Sequence, residues 1–296
     1  MVLLCWLAQP LAVFYKAYKD FSDMNTDAGA FRYHLALAYL THTQLQRRVM
    51  DTIVRLDAEE KPALALPIPP KGQIFAANAE HWEKNIDKGS PKTIGVYTGA
   101  FHPLTNAHLA VVSAALQTGL METALLSMSR TTLHKRQLQS QEQTLHVLLL
   151  AATAQRDARL DVALFNCGLY KEQAKAVRAA FPQVETVYLI VGFDKALQIL
   201  DPAYYADRDA ELNELFSLAH LLVCPRLGFG KADLDNLFCR PENAAWKTKA
   251  QYISLGEEYA YVSSTKARAM AEQNLDITEY VPPEQRAMWD YQPRFA

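Results

Sequence analysis

Cysteine is scarce in this chain. Its 296 residues include four, Cys5, Cys167, Cys224 and Cys239, and no two stand in a C-x-x-C spacing. That argues against a disulfide framework or a cysteine-built zinc site and fits a reducing, cytoplasmic setting. An excess of either charge is lacking too: 30 Lys and Arg face 32 Asp and Glu, a formal net charge of −2. A general nucleic-acid binder would be basic, so no nucleic-acid partner is expected. Long apolar runs are missing as well. The opening stretch MVLLCWLAQPLAVFYK has no basic residue ahead of its apolar run, is interrupted by Pro10, and is too short to span a bilayer. It reads as a packed segment rather than a signal peptide, and no membrane partner is expected. Low-complexity tracts and clear internal repeats are also absent.

What remains is ordinary globular composition, 50% hydrophobic and 21% charged, long enough for one large domain or two modest ones. Residues 28–60 place apolar side chains at helical spacing and read as one or two amphipathic helices. ALPIPPKGQ (65–73) and NIDKGSPK (85–92) then break the pattern with proline and glycine. The expected organisation is a helical N-terminal extension over 1–90 and a main domain over 91–296.

From residue 93 strand-like and helix-like segments alternate. TIGVYTG, TALLSMS, RLDVAL, TVYLIVG and AHLLVCPR read as strands. NAHLAVVSAALQTG, EQTLHVLLLAATAQ, YKEQAKAVRAAFP and LNELFSLA read as helices, the first ending near Gly119 and the third stopped by Pro182. This alternation predicts an α/β fold: a doubly wound, Rossmann-like parallel sheet with helices on both faces.

Ligands of such sheets sit beyond the carboxyl ends of the strands. There the chain places GAFHPLTNAH (99–108). Gly99 permits a tight turn with close backbone approach, and Pro103 stiffens the loop. Thr105 or Asn106 caps the next helix, whose N-terminus faces an anion; His108 lies one turn in. Near the other end, YVSSTKARAMA (261–271) repeats the logic: Ser263 and Ser264 can cap a helix that carries Lys266 and Arg268. Taken singly, each stretch is equally readable as an ordinary capped helix with solvated charges.

Together they form G-x-F-x-P-x-T-x-x-H, on Gly99, Phe101, Pro103, Thr105 and His108, followed by S-S-T-x-x-R, on Ser263, Ser264, Thr265 and Arg268. The pair resembles the signature of the nucleotidyltransferase superfamily. Three further stretches resemble its nicotinamide and nicotinate mononucleotide adenylyltransferases: the basic turn His134-Lys135, the G-x-D of Gly192 and Asp194, and Arg226 after the following strand. The likeness spans roughly residues 92–275. Phosphopantetheine adenylyltransferases share the two end motifs, but they are shorter and lack the G-x-D segment.

The resemblance implies transfer of the adenylyl group of ATP to a mononucleotide, giving a dinucleotide and pyrophosphate, with Mg²⁺ entering on the triphosphate. It implies His108, Thr105, Lys135 and Arg268 as catalytic groups around the phosphates. Gly99, Phe101, Pro103, Gly192, Asp194, Arg226, Ser263, Ser264 and Thr265 would hold the nucleotides. Chemistry of this kind needs no protein nucleophile and no cluster of metal-binding carboxylates. The chain departs from the relatives in four ways. His102 follows Phe101 where Asn or Asp is usual, Ala107 replaces the usual glycine, Thr144 stands where bacterial relatives carry arginine, and the stacking tryptophan has no counterpart. Tyr204 and Tyr205 are the nearest aromatic candidates for the base. Another phosphate acceptor, a non-catalytic ATP-binding regulator and simple ATP hydrolysis stay open, as does self-association.

Overall fold

The structure, a computed structural model, describes residues 28–68, 91–131, 139–226, 228–259 and 261–290. His134 and Lys135 lie outside the described residues, as does the N-terminal segment through residue 27.

The apolar spacing of the early chain yields two helices, α1 (Ala28–Thr41) and α2 (Thr43–Asp57). They part at His42, whose ring nitrogen accepts the Leu45 N–H and so caps α2. Strand β1 (Leu64–Ala65) follows. The main alternation then runs β2 (Thr93–Thr98), α3 (Asn106–Gln117), β3 (Thr123–Ser129), α4 (Ser140–Ala154), β4 (Leu160–Phe165) and α5 (Tyr170–Ala180). It continues with β5 (Thr186–Gly192), α6 (Phe193–Leu200), α7 (Arg208–Leu218), β6 (His220–Cys224), α8 (Lys231–Cys239) and β7 (Ala250–Tyr252), and closes with α9 (Ser264–Glu272) and α10 (Pro283–Asp290). Gly119, at φ +72°, takes the left-handed conformation just past the end of α3, where a side chain would be strained.

The seven strands lie in the order β1-β4-β3-β2-β5-β6-β7, all parallel except the β1–β4 edge pair. This is an α/β doubly wound, Rossmann-like sheet. Its strands are apolar on both sides: β3 buries Ala124, Leu126 and Met128 in one core and Leu125 in the other. Such near-continuous apolar runs are what a sheet covered on both faces requires. Helices α1, α2, α3, α4 and α10 bury their apolar residues on the first face, and α5, α6, α7 and α8 on the second.

Residues 28–68 share this core. Ala36, Leu40, Val49 and Ile53 belong to the same apolar cluster as α3 and α4, and β1 extends the sheet by one strand. Polar ties fasten the layer. Arg130, at the end of β3, donates two hydrogen bonds of 2.8 Å to Asp57 of α2. Glu284 of α10 is fully buried between Arg156 and Arg32.

Five elements escaped the sequence reading: β1, α6, α8, β7 and α10. All are short, three of them two to nine residues at the sheet's periphery, where the periodic signal is weakest. Among the described residues, no helix is long and apolar enough to cross a membrane.

Candidate active site

The strand order reverses at β2: β3 lies on one side of it, β5 on the other. The crevice beyond the carboxyl ends of β2 and β5 is therefore the expected ligand position. Both strands end in the residues singled out from the sequence, Gly99 after β2 and Gly192 closing β5.

The loop after β2 is built tightly. The ring of Phe101 folds back beneath Gly99, where an added Cβ would meet it at 2.8 Å. No other residue fits at Gly99 without moving that ring. Phe101 itself is 2% exposed and adopts a left-handed backbone, φ 43°, unusual for a bulky side chain. Its burial holds the loop in this conformation.

Thr105 caps α3, and the T-x-x-H spacing has a specific physical meaning here. The pair makes a capping box in which an imidazole replaces the usual carboxylate or amide. The Thr105 N–H donates to His108 Nδ1 at 2.9 Å, and the Thr105 hydroxyl lies 2.9 Å from the same nitrogen. In return the His108 N–H donates to Thr105 Oγ1. Nδ1 is thus an acceptor, so a neutral His108 carries its proton on Nε2. The ring packs edge-on against Phe101, with centroids 5.3 Å apart, and is tilted against Tyr97. Burial first, and the nearby Arg226 cation second, pull its pKa down to about 4. At neutral pH His108 is an uncharged N–H donor.

The second motif closes onto the first. Ser263 caps α9, accepting the Lys266 N–H. The Ser264 hydroxyl donates to the Pro103 carbonyl at 2.8 Å, and the Arg268 guanidinium donates to the His102 carbonyl. Residues more than 160 positions apart thereby share one loop. Thr265 is exposed at the first turn of α9, and Lys266 lies over the Tyr280 ring.

Gly192, Asp194 and Arg226 form the third side. Gly192 caps α6, and a Cβ there would strike Asp194 Oδ1 at 2.7 Å and approach Arg226 Cδ at 3.5 Å. Arg226 Nε stands 3.8 Å from Asp194 Oδ1, with side chains 46% and 36% exposed. Both charges also act on half-buried Tyr97, whose pKa rises, chiefly through desolvation. The arrangement can accept hydrogen bonds from hydroxyl groups at Asp194 and offers cationic donors at Arg226 and Arg268.

Tyr204 and Tyr205 are not brought to this group. Helix α6 carries the chain about 12 Å away from Gly192 before they appear. The Tyr205 hydroxyl donates to the Ile199 carbonyl, and its charged neighbours are Glu211, Arg208, Lys171 and Asp201. Tyr204 is 55% exposed in a short 3₁₀ turn. The aromatic surface nearer the group is Phe229, which stacks on Phe193 at 4.7 Å and 13° and bridges back to Arg226. It is 38% exposed. The signal for it was present: an aromatic residue between two glycines just beyond the strand-end arginine.

No family profile and no curated protein matches the chain. Two of the solved structures similar to it are of one enzyme. Both are nicotinic acid mononucleotide adenylyltransferase of Plasmodium falciparum, one complexed with NaAD and one with APC. Each is 16% identical to this chain, covering 68% of it and 96% of the solved chain, with TM-scores of 0.49 and 0.48. The strand order and the side chains, rather than this likeness, are what place the site.

His102 is the loop's departure from the expected pattern, and the structure gives it a partner. Its Nδ1 lies 2.7 Å from Nε2 of His146 on α4, the rings 4.6 Å apart. Burial, and then His102, lower the His146 pKa to about 3, with the Phe101 carbonyl acting in the opposite sense. Thr144, on the same helix, is buried with its hydroxyl donating to the Ser140 carbonyl.

Proposed function

We propose that the protein is a nucleotidyltransferase that passes the adenylyl group of Mg²⁺-bound ATP to nicotinate or nicotinamide mononucleotide. The observation that carries this reading is the meeting of the two motifs on one loop, through Ser264 to Pro103 and Arg268 to His102. Two helix N-termini and two arginines then border one crevice at the switch point of a parallel sheet. That is a site for a polyanion rather than for a neutral ligand.

In the proposed reaction an oxygen of the acceptor's 5′-phosphate bonds to the α-phosphorus of ATP. The bond from that phosphorus to the oxygen bridging to the β-phosphate breaks, and pyrophosphate leaves with the electron pair. Neutral His108 donates its Nε2 proton as a hydrogen bond to a phosphoryl oxygen, keeping the proton throughout. Thr105 holds the ring in that tautomer. Arg268, fixed by its bond to the His102 carbonyl, and Arg226 compensate the charge of the outer phosphates, a task suited to guanidinium groups. Asp194 accepts hydrogen bonds from ribose hydroxyls, and Phe229 offers a face for a base. Lys135 belongs to the same proposal as a further phosphate contact.

The test is pyrophosphate release from Mg²⁺-ATP with each mononucleotide offered separately and the dinucleotide identified. Formation of either product, abolished by His108→Ala in a folded protein, supports the reading and names the acceptor. Tight ATP binding with no product from either acceptor overturns it in favour of another acceptor or a regulator.

A further inference from the structure

We propose that His102, Glu142 and His146 form a binding site for a divalent transition metal of the zinc class, which ties the β2–α3 loop to helix α4. Among the described residues, these three are the one group of histidine, cysteine and acidic side chains whose ligand atoms converge, all within 4.8 Å of one another. Glu142 and His146 are one helical turn apart, so both project from the same side of α4. His102 comes from the loop opposite.

The donor set decides the metal. Two imidazoles and one carboxylate suit zinc, cobalt, nickel or iron, whereas magnesium prefers oxygen ligands throughout. Geometry is close to what coordination needs. Tetrahedral bonds of about 2.0–2.1 Å set two nitrogen ligands about 3.3 Å apart. His102 Nδ1 and His146 Nε2 stand at 2.7 Å, so the rings need only part by roughly half an ångström to admit an ion. Three protein ligands leave a further position for water or a phosphate oxygen.

His146 is 1% exposed, so an ion held at its Nε2 would be shielded from water on that side. Arg268 faces His102 and opposes a cation there, while Glu142 acts in the cation's favour. The site stands on its own residues and does not depend on the transfer reaction proposed above.

The test uses the full chain, stripped with a chelator and titrated with Co²⁺ and then Zn²⁺ in millimolar Mg²⁺. The expected result is one Co²⁺ per chain, visible ligand-field bands typical of four or five ligands, displacement by Zn²⁺ and a raised Tm. His102→Asn and Glu142→Gln, both at half-buried positions where folding survives, should each weaken Zn²⁺ about 100-fold or more. That exceeds the tenfold to 100-fold typical of losing an outer partner. His146→Asn should abolish the cobalt bands. Retention of no metal by the wild-type chain would overturn the proposal. So would binding of equal strength in the His102→Asn and Glu142→Gln variants, which would place the ion elsewhere, on cysteines for example.

Discussion

Charged groups beneath the N-terminal helices and charged groups at the carboxyl edge of the sheet are treated in opposite ways. Glu284 is fully buried, takes two hydrogen bonds from Arg156 at 3.0 and 2.7 Å, and has Arg32 at 3.6 Å. Asp57 takes two from Arg130. At the carboxyl edge, Asp194 and Arg226 stand 3.8 Å apart and well exposed. The buried members of these pairs, Glu284 and Arg130, are committed in full to the fold, because leaving either unpaired would be costly. The edge pair is loose, so its hydrogen-bonding capacity can go to a ligand. One region uses its charges to hold the fold together, the other leaves them loosely paired in water.

The largest effect expected from breaking the comparison is on the committed side. Glu284→Ala strands two arginines beside an apolar helix contact and should destabilise the fold by about 3–5 kcal/mol. Chemical denaturation measures this, and the folded fraction should bind ATP normally. His108→Ala should do the reverse. Loss of a donor aimed at developing charge costs about 10²–10³ in kcat. Turnover in a single-enzyme assay should fall by that much while the protein stays folded. If turnover survives intact, the role given to His108 is wrong.

Acid offers a third test. Folding lowers the His108 pKa from its ordinary 6.5 to about 4, so between these values the unfolded chain binds more protons than the folded one. Its contribution is complete above about pH 6.5 and is lost as pH falls toward 4. Discounted for the residue's partial exposure, it is on the order of 2 kcal/mol. Denaturation at pH 7 and pH 4.5 should show the loss, and His108→Asn should reduce it.

Smaller still is Gly192→Ala. The added methyl group meets Asp194 Oδ1, the free end of a side chain that can swing aside. Stability should change little, while KM rises roughly tenfold, about 1.4 kcal/mol, as the carboxylate is displaced. Arg226→Lys should be mildest, a few-fold rise in KM, because an ammonium keeps the charge but loses the planar fork.

Much of this fold is legible in the sequence. Five strand runs and four helices announce themselves because strands covered on both faces are apolar throughout and their helices carry turn and cap signals. TIGVYTG becomes β2, TVYLIVG becomes β5, and Gly119 follows α3. The site is legible only as pieces. T-x-x-H and S-S-T-x-x-R are local, and their side chains cap helices wherever the helices lie. Phe229 and the histidine pair were missed, and Tyr204 and Tyr205 were chosen on proximity in the chain, which α6 undoes by leading away from the crevice.

The sequence by itself determined which segments form the parallel sheet, and it put capping side chains at two helix starts. Those are matters of local periodicity and short-range hydrogen bonding. Tertiary structure decided the rest: that α9 closes on the Pro103 loop, that α1 and α2 bury themselves in the sheet's core, and that His102 faces His146. These depend on crossover paths and on which apolar faces find each other. No spacing along the chain encodes that, because contacts between distant residues form only when the whole core is assembled.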